Sequence, residues 1–158
     1  MKEITIHKGS RPILIYSLHN CSDWNEWGTR EINEMLHEKE RFYSFIYSGV
    51  KVRYLRDTKD ATYSLIDEML NTYGKIGLIS LHRRKNKSKI NLSEKNFFEL
   101  GTLKDKSLDS RIKTLFKRKM SSRDILFDDN LKFTGGKSIK RIHNKYIMAI
   151  LLLKTVSK

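Results

Sequence analysis

Residues 11–18 read RPILIYSL, and His19 follows them directly. Leucine, isoleucine and tyrosine dominate this segment almost without interruption, which is typical of a parallel β-strand that is covered on both faces. Residues 76–81, IGLISL, repeat the pattern and again lead straight into a histidine, His82. We therefore predict two buried strands, each with an imidazole at its carboxyl end.

The segments between and around these strands indicate helices. Apolar residues at helical spacing predict a helix over residues 24–36, and a second strand is predicted over residues 50–55. Asp57 or Thr58 then opens another helix, for which Gly74 stands where a C-terminal glycine cap belongs. The alternation of strand and helix is the pattern of a parallel sheet with covering helices.

The C-terminal half also contains predicted strands and a predicted helix. We predict a strand over residues 97–103, a helix capped by Ser107, a loop over residues 121–140 and a strongly apolar strand over residues 146–156 near the sheet centre. No linker or internal repeat divides the chain. The prediction is therefore one α/β domain over residues 1–158.

The net charge of +14 is the most prominent feature of the composition. Such a charge attracts polyanions, and nucleic acid is therefore one candidate partner. Only residues 82–89 form a dense basic cluster, and the other lysines are spread along the chain, which favours a solvated charged surface over a nucleic-acid site.

Membrane and disulfide chemistry are not expected. The longest apolar run is too short to cross a bilayer, and the N-terminus has no signal-peptide pattern. The single cysteine, Cys21, excludes an internal disulfide and fits a reducing compartment. We therefore expect a cytoplasmic protein with no membrane partner.

The two strand-end histidines are the candidate metal ligands. In open α/β sheets, ligands bind beyond the carboxyl ends of the strands, so His19 and His82 are expected to meet at that edge. Imidazole binds zinc well, and a catalytic zinc usually has three protein ligands. Asp23, four residues after His19, is the candidate third ligand, with Glu26 as the alternative. A purely structural role for either histidine is the competing interpretation.

A second candidate element lies at residues 132–141, KFTGGKSIKR. The pair Gly135 and Gly136 allows the backbone to approach a ligand closely. Lys140 and Arg141 offer cations for a carboxylate, Arg141 with a bidentate fork. The glycine spacing excludes a phosphate-binding P-loop.

Taken in chain order, these motifs resemble the N-formylglutamate amidohydrolases over residues 11–156. The resemblance is carried by the strand ending at His19, Asp23-Trp24, LISLH ending at His82, Leu100-Gly101-Thr102, FTGGKSIKR and the closing apolar strand. It implies a fold like that of zinc carboxypeptidases: an α/β fold of the phosphorylase/hydrolase-like type, with a mixed, mostly parallel central sheet, helices on both faces and zinc at the sheet edge.

The resemblance also implies a function. It implies zinc held by His19, Asp23 and His82, and a small substrate whose carboxylate lies near Gly135, Gly136 and either Lys140 or Arg141. The reaction implied is hydrolysis of the amide of an N-acyl amino acid such as N-formylglutamate.

The sequence departs from the family at the general base. The family carries a glutamate on the closing strand, whereas residues 151–154 here read LLLK. Glu99, beside the Leu-Gly-Thr element, is the candidate replacement. The missing glutamate leaves two alternatives to an active hydrolase, namely a catalytically impaired metal-binding relative and a basic nucleic-acid-binding protein.

Overall fold

The computed structural model describes residues 4–18, 28–50, 53–85, 97–103, 106–119, 125–127, 137–146 and 148–157. Within them the chain forms seven strands and five helices. In chain order these are β1 (Ile4–His7), β2 (Arg11–Ser17), α1 (Thr29–Glu40), β3 (Phe42–Tyr47), α2 (Tyr54–Asp57), α3 (Lys59–Tyr73), β4 (Gly77–Lys85), β5 (Phe97–Gly101), α4 (Lys106–Lys119), β6 (Ile125–Phe127), α5 (Lys137–Tyr146) and β7 (Ala149–Ser157).

All seven strands belong to one sheet with the order β1-β3-β2-β4-β7-β5-β6. The four neighbouring strands β3, β2, β4 and β7 are parallel to one another. β1 runs antiparallel to β3, β5 runs antiparallel to β7, and β6 is parallel to β5. The predicted mixed, mostly parallel sheet is therefore confirmed, and β7 lies inside it as expected.

Helices cover both faces of this sheet. On one face, α3 and α5 pack against apolar side chains of the central strands and form the main core. The strands and the two helices contribute Leu14, Tyr16, Phe45, Leu78, Ile150, Leu152, Leu65, Ile66, Met69, Ile139 and Ile142. The helix α1 lies on the opposite face, against β2 and β3. The arrangement buries β2 and β3 on both sides, which explains their continuous apolar sequences.

A buried amide connects α1 to the sheet. Asn33 is 0% exposed, and its Nδ2 lies 3.3 Å from the Ile15 carbonyl oxygen, 3.1 Å from the Phe45 carbonyl oxygen and 3.0 Å from Ser17 Oγ. One side chain therefore contacts both β2 and β3. Because an unpaired buried polar group is costly, these hydrogen bonds determine which face of α1 turns toward the sheet.

Two helix ends follow simple backbone rules. Gly74 ends α3 with φ 72°, and its N–H donates to the Leu70 carbonyl oxygen at 2.8 Å, so the predicted glycine cap is confirmed. Arg41 ends α1 with φ 57° and turns the chain directly into β3.

The prediction of a strand over residues 50–55 was wrong. The strand is β3, Phe42–Tyr47, and Tyr54–Asp57 form the short helix α2 instead. The sequence of β3, FYSFIY, supplies side chains that the core can bury, whereas Arg53 and Arg56 require solvent and a carboxylate partner.

Three boundaries also differ from the prediction. Helix α1 begins at Thr29, and the earlier part of the predicted helix lies outside the described residues. The predicted loop over residues 121–140 contains β6 and the first turn of α5. The strand β4 continues past His82 to Lys85, because β7 remains paired with it up to Ser157.

The described helices include none with the length and apolarity that a bilayer crossing requires.

Replacing Asn33 tests the attachment of α1. We expect Asn33→Ala to lower the free energy of unfolding by about 2 kcal/mol, because buried carbonyl acceptors lose their donor. Urea denaturation followed by circular dichroism measures the change. Asn71→Ala, at an exposed position of α3, is the matched control and should change stability by less than about 0.5 kcal/mol. Equal effects of the two substitutions would contradict this role of Asn33.

Candidate active site at the carboxyl edge of the sheet

The pairing of β2 with β4 determines which residues meet at the carboxyl edge. Tyr16 lies opposite Ser80 in this parallel pair. Two residues after this pair, Leu18 lies level with His82. His19 follows Leu18 directly in the chain. Neighbouring strands are about 4.8 Å apart, which is compatible with two imidazoles binding one ion. His19 and Asp23 themselves lie outside the described residues, as do Glu26, Gly135 and Gly136.

His82 is buried and has a hydrogen-bond partner on its own strand. It is 6% exposed, and its Nε2 lies 3.0 Å from Oγ of Ser80, which is 1% exposed. Residues two apart on a strand share a face, so the contact follows from the sequence Ser-Leu-His. When Nε2–H donates to the hydroxyl, Nδ1 carries the lone pair that a metal requires. Ser80 can therefore orient the ring as a metal ligand.

The face of the sheet that carries His82 is the one covered by α3 and α5. Tyr16, opposite Ser80, makes a 2.9 Å hydrogen bond between its hydroxyl and Thr62 Oγ1 of α3. Burial raises the pKa of Tyr16 to about 12, so the phenol is neutral over the physiological range. Because register partners in neighbouring strands share a face, Ser80 and His82 lie on this side as well.

The backbone of Glu99 is level with that of His82. Glu99 of β5 is the register partner of Lys154 in β7, and Lys154 is the register partner of His82 in β4. The three positions therefore form one row across three neighbouring strands, with Glu99 and His82 about 10 Å apart. The lysine in the middle of the row belongs to the stretch where the resembled family carries its glutamate.

Arg141 borders a cleft between α2, α3 and α5. The cleft has a volume of about 780 Å³ and is lined by Leu55, Arg56, Lys59, Asp60, Tyr63 and Arg141. Arg141 is half-buried, and its Nη1 donates to the Leu55 carbonyl oxygen at 3.3 Å. Since α3 and α5 each lead into the amino end of a parallel strand, their first turns point toward the carboxyl edge. Lys140 is exposed and is not among the residues that line this cleft.

The cations around the cleft differ in whether a carboxylate pairs with them. The carboxylate of Asp57 accepts a 2.9 Å bond from Arg56 and lies 3.9 Å from Arg53. The hydrogen bond from Arg56 is the main reason that the pKa of Asp57 is lowered. Burial raises the pKa of Tyr54, and the nearby Arg141 opposes this shift. Among the described residues, no carboxylate lies within ion-pair distance of Arg141. Its guanidinium can therefore bind an acidic group of a ligand.

The structure therefore places part of the predicted site. His82, Glu99, Lys140 and Arg141 have described backbones, and Arg141 rather than Lys140 faces the cleft. In the described part of the chain, no group of three metal-binding side chains occurs. Sequence reasoning missed Ser80 and the cleft residue Lys59. The spacing of Ser80 and His82 in LISLH, two residues apart on a predicted strand, was the available signal for the first.

Comparison with known proteins identifies the fold. No protein-family model matches the chain, and no curated protein matches it. Solved structures do match. YndL, in a zinc-free apo form, superposes with a TM-score of 0.61 and 16% identity, over 98% of this chain and 71% of that one. A bacteriophage poly-γ-glutamate hydrolase gives 0.64 and 15%, over 97% and 69%.

An N-formylglutamate amidohydrolase from Ralstonia eutropha JMP134 gives a TM-score of 0.61 and 11% identity, over 98% of this chain and 85% of that one. These identities are low, so the likeness concerns the fold. The hydrolase-like α/β fold that the sequence resemblance implies is therefore confirmed.

Removing the hydroxyl of Ser80 tests its contact with His82. We expect Ser80→Ala to lower the free energy of unfolding by about 1 kcal/mol, because a buried hydrogen bond is lost. It should also shift the ¹⁵N resonances of the His82 ring. Ser64→Ala, at an exposed position of α3, is the control and should leave both unchanged. An unaltered His82 spectrum in Ser80→Ala would show that Ser80 does not orient the ring.

Proposed function

We propose that the chain is a zinc-dependent amidohydrolase that cleaves the amide of an N-acyl amino acid such as N-formylglutamate. The observation that supports the proposal is the buried His82, which lies in the C-terminal half of β4, three residues before the strand ends, and level with the end of the strand that leads to His19. The fold is similar to that of proteins whose names describe hydrolysis of glutamate-derived amides. The zinc-free form of YndL is consistent with zinc in this fold.

His19, Asp23 and His82 are the proposed zinc ligands. Two imidazoles and one carboxylate are a donor set that would hold a catalytic zinc. The adjacency of the parallel strands β2 and β4 supports this choice of ligands. Bound there, zinc supplies Lewis acidity to the scissile carbonyl and acidifies water. Ser80 keeps the His82 ring in the metal-binding orientation through the 3.0 Å contact with Nε2.

Glu99 and Arg141 have separate roles in this proposal. The carboxylate of Glu99 accepts the proton of the attacking water and transfers it to the leaving nitrogen. Arg141 pairs with the substrate carboxylate in the cleft and so orients the amide. Gly135 and Gly136 are proposed to allow a close backbone approach to the substrate, and Lys140 to contribute charge.

A catalytically impaired relative is the second candidate. Its support is Lys154, which is the register partner of His82 on β7. A lysine has no carboxylate that could serve as a base, so activity then depends wholly on Glu99. Such a protein would bind zinc without turning over substrate.

Zinc analysis tests the metal site. We expect about one zinc per purified chain and loss of that zinc in His19→Ala and in His82→Ala, because three ligands are needed for tight binding. His143→Ala, on α5, is the matched control and should retain the metal. A folded wild-type protein that takes up no zinc, or an equal loss in the control, would contradict the proposed site.

Turnover of N-formylglutamate tests the reaction. We expect Glu99→Gln to lower kcat by roughly 10²–10⁴-fold, since it removes the base. Arg141→Gln should mainly raise KM, by about 10-fold or more, because it weakens carboxylate binding. Arg30→Gln, on the exposed surface of α1, is the control for charge loss. Zinc binding without turnover in the wild type would select the impaired relative instead.

A further inference from the structure

Two histidines that the proposed active site does not use lie beside each other. His7 belongs to β1 and His37 to α1, and both side chains are half-buried. Their ring centroids are 5.1 Å apart, and their ring planes are inclined by 26°. The two residues are far apart in the sequence, so it is the fold that brings the two imidazoles together.

The pair lies on the face of the sheet opposite to that of His82. His7 is the register partner of Ser44 in β3, and Ser44 is the register partner of Ile15 in β2. The next residue of β2, Tyr16, turns its side chain toward α3. Because successive residues of a strand point to opposite faces, His7 lies on the α1 side. The strand β1 is also three strand spacings from β4, or about 14 Å, so the pair is separate from the site of His82.

The backbone determines which nitrogen of His37 can bind a ligand. Nδ1 of His37 lies 2.8 Å from the carbonyl oxygen of Phe42. A carbonyl oxygen has no proton to donate, so Nδ1–H is the donor, and Nε2 of the neutral ring carries the lone pair. Histidines that bind metals are commonly held in this way, with the other ring nitrogen donating to a backbone carbonyl.

The ring of His7 is able to face the same ligand. Among the described residues, neither of its ring nitrogens has a hydrogen-bond partner. Because imidazole lone pairs lie in the ring plane, the two rings converge on one point when the His7 ring turns about its Cβ–Cγ bond. Two imidazoles that bind one tetrahedral ion have ring centroids about 5 Å apart, close to the 5.1 Å of this pair.

A buried hydroxyl next to His7 has no partner in the described part of the chain. Ser44 is 0% exposed, and its Oγ makes no hydrogen bond there. As the register partner of His7, Ser44 lies on the same face of the sheet, with the two Cβ atoms about 5 Å apart. Since unpartnered buried polar groups are rare and costly, this hydroxyl indicates a polar ligand beside the two imidazoles.

The charge of α1 favours a cation at this place. The helix has four glutamates against one arginine and one lysine, although the whole chain carries +14. Lys8, which follows His7 in the chain, pairs with Glu68 of α3 at 2.7 Å, so its charge is compensated. The excess of carboxylates on α1 therefore stabilises a dication beside His37.

We propose that His7 and His37 form a metal site of their own, which binds a divalent transition-metal ion that prefers imidazole, such as zinc. The two rings are its protein ligands, and water, for which Ser44 offers a hydroxyl, completes the coordination. Calcium and magnesium are disfavoured because they prefer oxygen ligands. The ion connects the edge strand β1 to α1, and the site does not depend on the proposed hydrolase function.

Zinc titration of the full-length protein, followed by the ring ¹⁵N resonances of its histidines, tests the inference. At a pH of about 7.5, where an ordinary imidazole is mostly neutral, we expect His7 and His37 to respond with one common midpoint, because they bind the same ion. His143, a half-buried histidine of α5, is the internal control. It should respond at a zinc concentration roughly 10-fold higher or more, since one imidazole binds zinc more weakly than two.

Removing either ring should weaken zinc binding at the other. We expect His7→Asn to raise the apparent Kd for zinc at His37 by roughly 10-fold or more, because one of two ligands is lost. His37→Asn should do the same at His7. The matched control, His143→Asn, should leave both midpoints within about two-fold of the wild type. Circular dichroism confirms that the variants are folded.

The inference is overturned by no response of the pair, by different midpoints for His7 and His37, or by an unchanged His37 midpoint in His7→Asn. A response of His143 together with the pair would mean adventitious zinc binding only. The His82 ring reports the proposed active site separately. If His7 and His37 respond and His82 does not, the proposed hydrolase site fails and this site stands. If His82 alone responds, this site fails and the proposed function stands.

Discussion

The in-register parallel pairing of β2 with β4 is the constraint on which the rest of the account depends. With Tyr16 opposite Ser80, the strand that leads to His19 ends level with His82. A shift of one residue would turn His82 to the other face of the sheet, away from α3 and α5. On the same face, the hydroxyl groups of Tyr16 and Thr62 share a hydrogen bond, and Ser80 contacts His82.

The two sides of the sheet come from different halves of the chain. The strands β1, β3 and β2 belong to residues 1–78, in which basic and acidic residues are equal in number, and Arg11 and Arg30 of this half pair with carboxylates. The side built from β7, β5 and β6 belongs to the half with +14. The strand β4, which carries His82, lies between these two groups of strands.

Much of the fold could be predicted from local pattern. Continuous apolar runs marked β2, β4 and β7, and Gly74 marked the end of α3. The prediction failed at β3 because FYSFIY follows α1 after a single residue, and its neighbour VKVRYL has equally good strand propensity. Only packing decides between such segments. Boundaries such as the continuation of β4 to Lys85 depend on pairing with β7, which is a long-range contact that periodicity does not report.

The candidate site residues were chosen from the sequence by residue type, which does not predict their partners in the fold. Imidazoles that follow apolar runs are visible in the sequence, whereas the position of Arg141 rather than Lys140 at the cleft depends on the rotation of α5 against α2. The central claim is that His19 and His82 bind one ion. Anomalous scattering at the zinc edge from crystals of zinc-loaded protein tests it directly. The account predicts one peak within about 2.1 Å of a nitrogen of each ring. A zinc peak elsewhere, or two rings too far apart to share it, would contradict it.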